Sequence, residues 1–211
     1  MKIAIPLYED FTALDAVGPN EILGRIPGNT VRWLAHEPGP VRSDSADLTI
    51  VADAAFEDVP HPDIVLVPGG TGTHRFLDDE RILAWLREAH EHSTWTTSVC
   101  TGSLLLAAAG ILDGVDATTH WTRTEKLERL GARYVKERVV HRGKIVTGAG
   151  VSAGIDMALT LAALMHGEEV AQTLQLASEY DPQPPFDAGT PDKAPPHVVE
   201  FLRERALAVA S

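Results

Sequence analysis

Residues 96–106 read Thr-Thr-Ser-Val-Cys-Thr-Gly-Ser-Leu-Leu-Leu, and at Cys100 the pattern of a buried strand changes into that of a buried helix. Residues 94–99 are β-branched or aromatic apart from Ser98, whereas residues 104–109 are strong helix formers. Because so few residues separate the two patterns, the turn between them must be tight. The sequence therefore predicts that Cys100 lies at the apex of a sharp strand-to-helix turn, a nucleophile elbow.

This position predicts a reactive sulfur. At the elbow the sulfur faces the first exposed amides of the following helix, and the positive end of the helix dipole stabilises a thiolate over a thiol. We therefore expect a lowered pKa for Cys100. The alternative is that Cys100 is an ordinary buried small side chain, but the elbow context favours the nucleophile.

Working outward from the elbow, strand-like and helix-like segments alternate, which is typical of an α/β fold with a largely parallel sheet and helices on both faces. Strands are predicted at 2–8, 30–35, 63–67, 94–99 and 117–119, with hairpins through 41–51 and 134–147. Helices are predicted at 13–23, 79–92, 104–109, 124–130, 152–166, 168–180 and 197–210. The helix at 152–166 is apolar almost all round, which predicts a central position or a subunit interface.

We expect a single domain over residues 1–211. A chain of 22.7 kDa suits one large core better than two small ones. Nothing in the sequence suggests an interdomain linker, although residues 181–196 are rich in proline and should follow the surface without regular structure.

The composition disfavours several classes of partner and location. A net charge of −12 is unfavourable for nucleic-acid binding, and the basic groups at 123–133 and 138–144 are interleaved with other residues, as solvated faces are. No apolar run is long enough to cross a bilayer, and the N-terminus lacks the pattern of a secretory signal. A single cysteine cannot form an intramolecular disulfide. We therefore expect a cytoplasmic protein with neither nucleic-acid nor membrane partners.

Asp15 is the first candidate partner for the cysteine. It is an acid in an apolar stretch directly after the first strand. In a parallel sheet the loops that follow strands open on one edge, so Asp15 and Cys100 can meet there despite their separation in sequence. The alternative role for Asp15 is a helix cap, but the loop geometry favours catalysis.

Backbone amides and a histidine complete the predicted site. Gly69 and Gly70 end another strand at the same edge, where their N–H groups, with that of Thr101, could stabilise developing negative charge. A Pro-Gly-Gly sequence alone is more often merely a turn. His120 could be a base for the cysteine or a wall of the pocket, and a histidine beside a tryptophan is more often packed structure.

Other sites have little support in the sequence. Glu21, Glu179 and Tyr180 are weaker candidates. The histidines lack metal-ligand spacing and one cysteine excludes a thiolate-rich zinc site, so we predict no metal. The glycines at 148–150 lack the acidic residue and the context of a dinucleotide fingerprint, so we predict no cofactor.

Six motifs together resemble a known family. In chain order they are Leu14-Asp15 with Gly18-Pro19, Pro68-Gly69-Gly70-Thr71-Gly72, Ser98-Val99-Cys100-Thr101-Gly102-Ser103, Ala117-Thr118-Thr119-His120-Trp121, Ser152-Ala153-Gly154-Ile155-Asp156, and Pro184-Pro185-Phe186 with Ala188-Gly189 and Pro191. The set is similar to the isocyanide hydratases of the ThiJ/PfpI superfamily, over nearly the whole chain. Each motif is shared across the superfamily, but the ordered set is specific.

The resemblance implies a flavodoxin-like sandwich of the class I glutamine amidotransferase-like type, a nucleophile elbow and a homodimer. It also implies hydration of isocyanides to N-substituted formamides through a thioimidate. Cys100 would be the nucleophile, Asp15 would shuttle protons, and Thr101 would orient Asp15 or the intermediate. Most superfamily members have glutamate where this chain has Asp15, whereas isocyanide hydratases have the shorter acid.

Two alternatives remain. The Cys-Thr-Gly and Ala-Thr-Thr-His-Trp motifs also occur in sensory domains of AraC-like transcription regulators, so the chain could be a small-molecule or redox sensor whose cysteine is oxidised without turnover. It could also be a glyoxalase or hydrolase of the same fold.

Overall fold

The computed structural model describes residues 1–45 and 47–209. Its strands are β1 (Lys2–Pro6), β2 (Thr30–Ala35), β3 (Gly39–Arg42), β4 (Thr49–Ala52), β5 (Ala54–Ala55), β6 (Ile64–Val67), β7 (Trp95–Val99), β8 (Asp116–Ala117), β9 (Arg133–Tyr134), β10 (Val139–Arg142) and β11 (Ile145–Gly148). Its helices are α1 (Ala13–Leu23), α2 (Glu80–His92), α3 (Gly102–Ala108), α4 (Thr124–Arg129), α5 (Ala153–His166), α6 (Glu168–Ala177) and α7 (Pro196–Val209). Short 3₁₀ turns lie at Phe56–Asp58, Thr71–Phe76 and Trp121–Arg123.

Seven strands form the central sheet in the order β10-β11-β7-β6-β1-β2-β5. All neighbours in this sheet pair in parallel except β10 and β11, which form an antiparallel hairpin at one edge. The helices pack in two groups, one containing α1, α5 and α6 and the other containing α2, α3 and α4. The predicted α/β sandwich with a largely parallel sheet is therefore confirmed.

The strand sequences explain why the sheet is interior. All four residues of β6 are buried, as are the last four of β1 and of β7. Strands covered by helices on both faces are typically apolar on both faces, as β1 and β6 are. In contrast, β7 buries Thr96, Thr97 and Ser98, of which Thr97 donates to the carbonyl of Val65 at 2.9 Å. One buried cluster extends through the described residues from Ile3 to Leu174.

Several predicted boundaries need correction. The hairpin predicted over 134–147 begins at Val139, because Tyr134 belongs to β9, which pairs with β8 in a separate two-stranded sheet. The strand predicted at 117–119 is Asp116–Ala117. The predicted last helix, 197–210, begins at Pro196, and Ala210 lies outside the described residues. Of the segment 181–196, predicted to lack regular structure, residues 181–195 have neither helix nor strand, whereas Pro196 begins α7.

Parallel pairing determines where the site lies. The carboxyl ends of β1, β6, β7 and β11 open on one edge of the sheet, since these strands run in one direction. Asp15, Gly69, Cys100 and the residues before α5 follow these four strands in the chain. Ligands of open parallel sheets bind at this edge.

Candidate active site

Cys100 occupies the elbow that the sequence predicts. It has φ 57°, in the left-handed region that a non-glycine residue adopts only at a cost of about 1–3 kcal/mol. The Cys100 N–H donates to the carbonyls of Gly148 (3.0 Å) and Ala149 (2.8 Å). Its carbonyl accepts from the hydroxyls of Ser103 and Thr119, each at 3.0 Å. These four hydrogen bonds hold the strained turn.

The turn also requires a glycine immediately after it. A Cβ at Gly102 would lie 2.2 Å from the carbonyl oxygen of Val67. The start of α3 therefore approaches the end of β6 more closely than any side chain would permit. This contact brings the elbow against the loop that contains Gly69 and Gly70.

The sulfur of Cys100 is buried, with 5% of the residue exposed. Burial and the neighbouring Asp15 raise the pKa of the thiol well above its ordinary value, whereas the backbone N–H groups of Val151 and Thr101 oppose the rise by hydrogen bonding. The predicted lowering of this pKa is therefore wrong. Helix-end amides do face the sulfur, but the loss of water around a buried anion outweighs them.

Val151 contributes to this environment from an unusual conformation. Its φ of 32° is rare for a β-branched residue, and it lies in the turn that leads from β11 into α5. The turn directs the Val151 N–H at the Cys100 sulfur. Sequence reasoning missed this residue, because backbone strain has no signal in residue type.

Asp15 lies in the first turn of α1 and is fully buried. Its Oδ2 accepts the N–H of Gly69 at 3.0 Å, and its Oδ1 has no partner that meets hydrogen-bond geometry within the described part of the chain. Burial raises the pKa of Asp15 to about 7, against the opposing hydrogen bonds from Gly69 and Cys100. The alternative role as a helix cap is wrong, because Thr12 occupies the N-cap position of α1.

The thiol of Cys100 and the carboxyl of Asp15 form a coupled pair. Cys100 lowers the pKa of Asp15 through a hydrogen bond, and Asp15 raises the pKa of Cys100 through its charge and through a hydrogen bond. Two buried groups that both resist ionisation titrate as one unit, and after the first proton leaves the two share the remaining one. The carboxyl, with a pKa of about 7, loses its proton first, and transfer of the remaining proton from the sulfur to Asp15 then gives a thiolate beside a protonated carboxyl.

Gly69 and Gly70 contact this pair through amides that already have partners. The Gly69 N–H binds Asp15, and the Gly70 N–H donates to Thr101 Oγ1 at 2.9 Å. Neither amide is therefore free to bind a developing negative charge, which is the role that the sequence predicts. A Cβ at Gly69 would lie 2.5 Å from the Thr101 nitrogen and 2.9 Å from Asp15 Oδ2, so only glycine fits between them.

The hydroxyl of Thr101 belongs to a buried network that sequence reasoning missed. Thr101 Oγ1 lies 2.7 Å from Thr73 Oγ1, which lies 3.0 Å from the hydroxyl of Tyr8. Tyr8 also donates to the carbonyl of Pro68 at 2.8 Å. Burial raises the pKa of Tyr8 well above its ordinary value, so this network stays neutral. The sequence gives only a weak signal for Thr73 and Tyr8, which lie in or near loops at the edge of the sheet where the site is found.

His120 is partly buried and bonded away from the sulfur. Its Nδ1 lies 2.8 Å from the Thr122 hydroxyl, and its ring packs near Trp121 with centroids 5.8 Å apart. A Cβ at Gly150 would lie 2.8 Å from the His120 ring, so the ring packs against that backbone. Burial lowers the pKa of His120. This geometry suits a packed wall better than a base.

Arg123 is closer to the site than its sequence context indicated. It is partly buried and donates to the carbonyl of Ala206 at 2.6 Å, which attaches α7 to the loop after β8. Burial lowers the pKa of Arg123, and the nearby Cys100 opposes this shift. The interpretation of 123–133 as a solvated face is therefore wrong for its first residue.

The weaker candidates lie elsewhere. Glu21 and Tyr180 line a cavity of about 190 Å³ between α1 and α5, with Leu14 and Ile155 among its apolar walls. Glu21 pairs with Arg25 at 2.7 Å, and Tyr180 donates to Asp156 at 3.1 Å. Glu179 is exposed.

Residues 1–45 and 47–209 contain neither a cluster of metal ligands nor a membrane-spanning helix. Within this range there is no group of three or more His, Cys, Asp or Glu side chains that could hold a metal ion. Across the same residues, the helices are too short or too polar to cross a membrane.

Comparisons with known proteins agree with the fold. The model of the DJ-1/PfpI family matches residues 1–164. An isonitrile hydratase of Pseudomonas putida is 44% identical over 206 residues, covering 98% of this chain and 90% of that protein. A crystal structure of a ThiJ/PfpI family protein from Pseudomonas syringae superposes with a TM-score of 0.93 at 38% identity, covering all of this chain and 90% of the other.

A more distant relative has a different architecture. The HTH-type transcriptional regulator CdhR of Pseudomonas aeruginosa is 29% identical over 176 residues, which cover 80% of this chain but only 51% of the regulator. The similarity therefore spans about half of that protein.

Proposed function

Because the chain belongs to the DJ-1/PfpI family, we propose that it is an enzyme that hydrates isocyanides to N-substituted formamides, with Cys100 as nucleophile. The observation that carries this proposal is the buried pair of Cys100 and Asp15, in which one proton serves both a sulfur and a carboxyl. The isonitrile hydratase of Pseudomonas putida, whose similarity covers 98% of this chain, supports the choice of substrate.

The chemistry of an isocyanide matches such a pair. Its terminal carbon accepts a nucleophile and must then be protonated. The reaction therefore requires a nucleophilic sulfur and an acid beside the same carbon. In the reactive form of the pair the Cys100 thiolate attacks this carbon, and the Asp15 proton is transferred to it. The product of the step is a thioimidate bound to Cys100, with Asp15 ionised.

Water completes the reaction. The Asp15 carboxylate takes a proton from water as the oxygen adds to the thioimidate carbon, and it passes that proton to the nitrogen. The tetrahedral intermediate then forms its carbonyl, expels the sulfur as thiolate and returns the hydroxyl proton to Asp15. The formamide leaves and the starting protonation state is restored, so one water is consumed in each cycle.

The remaining site residues are assigned by what they contact. Thr101 and Val151 would stabilise the thiolate through their backbone N–H groups. Gly69 and Gly70 would position the reacting groups, because their amides bind Asp15 and the Thr101 hydroxyl. His120 would form part of the pocket wall.

We further propose a cytoplasmic homodimer. Large apolar side chains are exposed near the C-terminal end of the chain, including Leu176 (80%), Phe186 (79%) and Phe201 (56%), which is unfavourable unless a partner covers them. Light scattering should give twice the 22.7 kDa chain mass; the monomer mass would contradict the dimer. A reducing compartment would keep Cys100 as a thiol.

The direct test is turnover of an aryl isocyanide, followed by chromatographic detection of the formamide. We expect turnover by the wild type and none above background for Cys100→Ala. Asp15→Asn should lower the rate at least about 100-fold, the order expected for loss of a general acid and base. Alkylation of Cys100 by iodoacetamide should remain measurable in that variant, and Asp116→Asn, which changes a carboxylate paired with Arg133 and Arg142, is the matched control.

The same preparation separates the competing functions. A sensor, suggested by the partial similarity to the regulator CdhR, would bind or oxidise at Cys100 without releasing formamide. A glyoxalase would consume methylglyoxal and leave the isocyanide unchanged. Full hydratase activity of Asp15→Asn would reject the proton-transfer role of the carboxyl.

A further inference from the structure

Asp44 lies just after β3 and connects two segments that border the site. Its Oδ2 accepts the Thr12 hydroxyl at 2.6 Å and the Thr71 N–H at 3.2 Å. Its own N–H donates to the carbonyl of Phe11 at 2.9 Å. One carboxylate oxygen therefore ties the start of α1 to the loop after β6.

These two segments hold both halves of the Asp15 contact. Thr12 occupies the N-cap position of the helix whose first turn contains Asp15, and the Asp15 N–H donates to the Thr12 carbonyl at 3.1 Å. The other segment contains Gly69, whose N–H binds Asp15 and whose carbonyl accepts from the Thr12 N–H at 2.7 Å. Asp44 holds this unit together through its contacts with Thr12 and Thr71.

The charge of Asp44 is also directed at the site. Three ionisable groups interact with Asp15: Cys100 at the elbow, Tyr8 after the end of β1 and Asp44 in the β3–β4 hairpin. The charge of Asp44 adds to the rise in the pKa of Asp15. The nearby cations Arg42 and Arg75 pair with Asp47 and Asp10, each at 2.7–2.8 Å, and no ion pair among the described residues includes Asp44.

We infer that Asp44 is a positioning residue of the proposed hydration: its Oδ2 clamps the start of α1 to the Gly69–Thr71 loop, and its negative charge, beside this buried unit, adds to the effect of burial in favouring the protonated form of Asp15. This inference rests on the proposed function. A hydrogen-bonding role alone would need only an oxygen atom at this place, whereas the second part of the inference requires the charge.

The test compares Asp44→Asn with the wild type in two pH profiles. Asparagine keeps an oxygen that can accept from Thr12 and Thr71 and removes the charge. One profile is kcat/KM for an aryl isocyanide, and the other is the rate of Cys100 alkylation by iodoacetamide, which needs no turnover and reports on the only thiol in the chain. Asp47→Asn, in the same hairpin and paired with Arg42, is the matched control.

We expect the acidic limb of both profiles to move to lower pH by roughly half a pH unit in Asp44→Asn, the order for one partly screened charge. The limb should not move in Asp47→Asn, and KM should change little in either variant. Superimposable alkylation profiles for Asp44→Asn and the wild type would overturn the inference, even if its thermal stability falls.

The experiment distinguishes failure of the inference about Asp44 from failure of the proposed function. If no isocyanide is hydrated, the alkylation profile still reports whether Asp44 controls the proton on the pair. Asp44→Ser supplies a second neutral side chain with an acceptor oxygen, in case the asparagine variant does not fold. The serine variant must show the same displaced limb.

Discussion

At the scale of single residues, the site consists of groups that are costly to bury. An ionised carboxylate loses its hydration at the position of Asp15, and its pKa rises to about 7 from an ordinary value of 3.8. The same loss of water acts on the Cys100 thiol. Burial of these two groups lowers the free energy of unfolding, and it keeps a proton available beside the reacting sulfur.

This cost predicts a pH-dependent stabilisation by Asp15→Asn. In the wild type the unfolded carboxyl ionises near pH 4 and the folded one near pH 7, so the free energy of unfolding falls between these values and stays lower above pH 7. The loss is at most about 4 kcal/mol, from roughly three pH units. Asparagine does not ionise. The melting temperature of Asp15→Asn should therefore be higher than that of the wild type at pH 8 and equal to it at pH 4.

The control for this prediction has the opposite sign. The pKa of Asp116 is lowered by hydrogen bonds from Arg133 and Arg142, so its ionised form is favoured by folding. Asp116→Asn should therefore melt no higher than the wild type at pH 8. Equal melting temperatures of Asp15→Asn and the wild type at both pH values would contradict a buried carboxyl with a raised pKa.

At the scale of elements, close helix packing brings the site residues together. A Cβ at Gly18 in α1 would lie 3.2 Å from Ile155, and a Cβ at Gly154 in α5 would lie 3.1 Å from Pro19. These two glycines let α1 and α5 approach closely. Asp15 and Val151, at the beginnings of the two helices, therefore converge on one sulfur.

The cap of α2 provides a prediction that should leave catalysis unchanged. Asp79 occupies the N-cap position, and its side chain accepts from the N–H groups of Arg81 (3.0 Å) and Ile82 (3.4 Å). Asp79→Ala should lower the free energy of unfolding by about 1 kcal/mol, measured by urea denaturation. Asp78→Ala, one residue earlier and exposed, should have little effect. Equal midpoints for the two variants would argue against the cap.

At the scale of the whole molecule, one buried cluster joins the two helix groups through the sheet. A continuous core predicts that the chain unfolds as a single cooperative unit, as expected of one domain. The four tryptophans lie at residues 33, 85, 95 and 121, whereas far-UV circular dichroism also reports α5, α6 and α7. Urea transitions followed by fluorescence and by circular dichroism should coincide. Separate midpoints would indicate that the C-terminal helices unfold independently.

The sequence by itself determined the sheet, its helices and the elbow, because buried parallel strands and helix formers have periodicities that a single chain reveals. It also singled out Cys100, Asp15, Thr101, Gly69 and Gly70, which the structure brings together, since loops after parallel strands share one edge.

Only the tertiary structure decided the direction of the thiol pKa, the engagement of the Gly69 and Gly70 amides, and the contributions of Thr73, Val151 and Asp44. The physical reason is that desolvation and hydrogen-bond partners depend on which distant segments close over a group. Residue type and spacing along the chain do not contain that information.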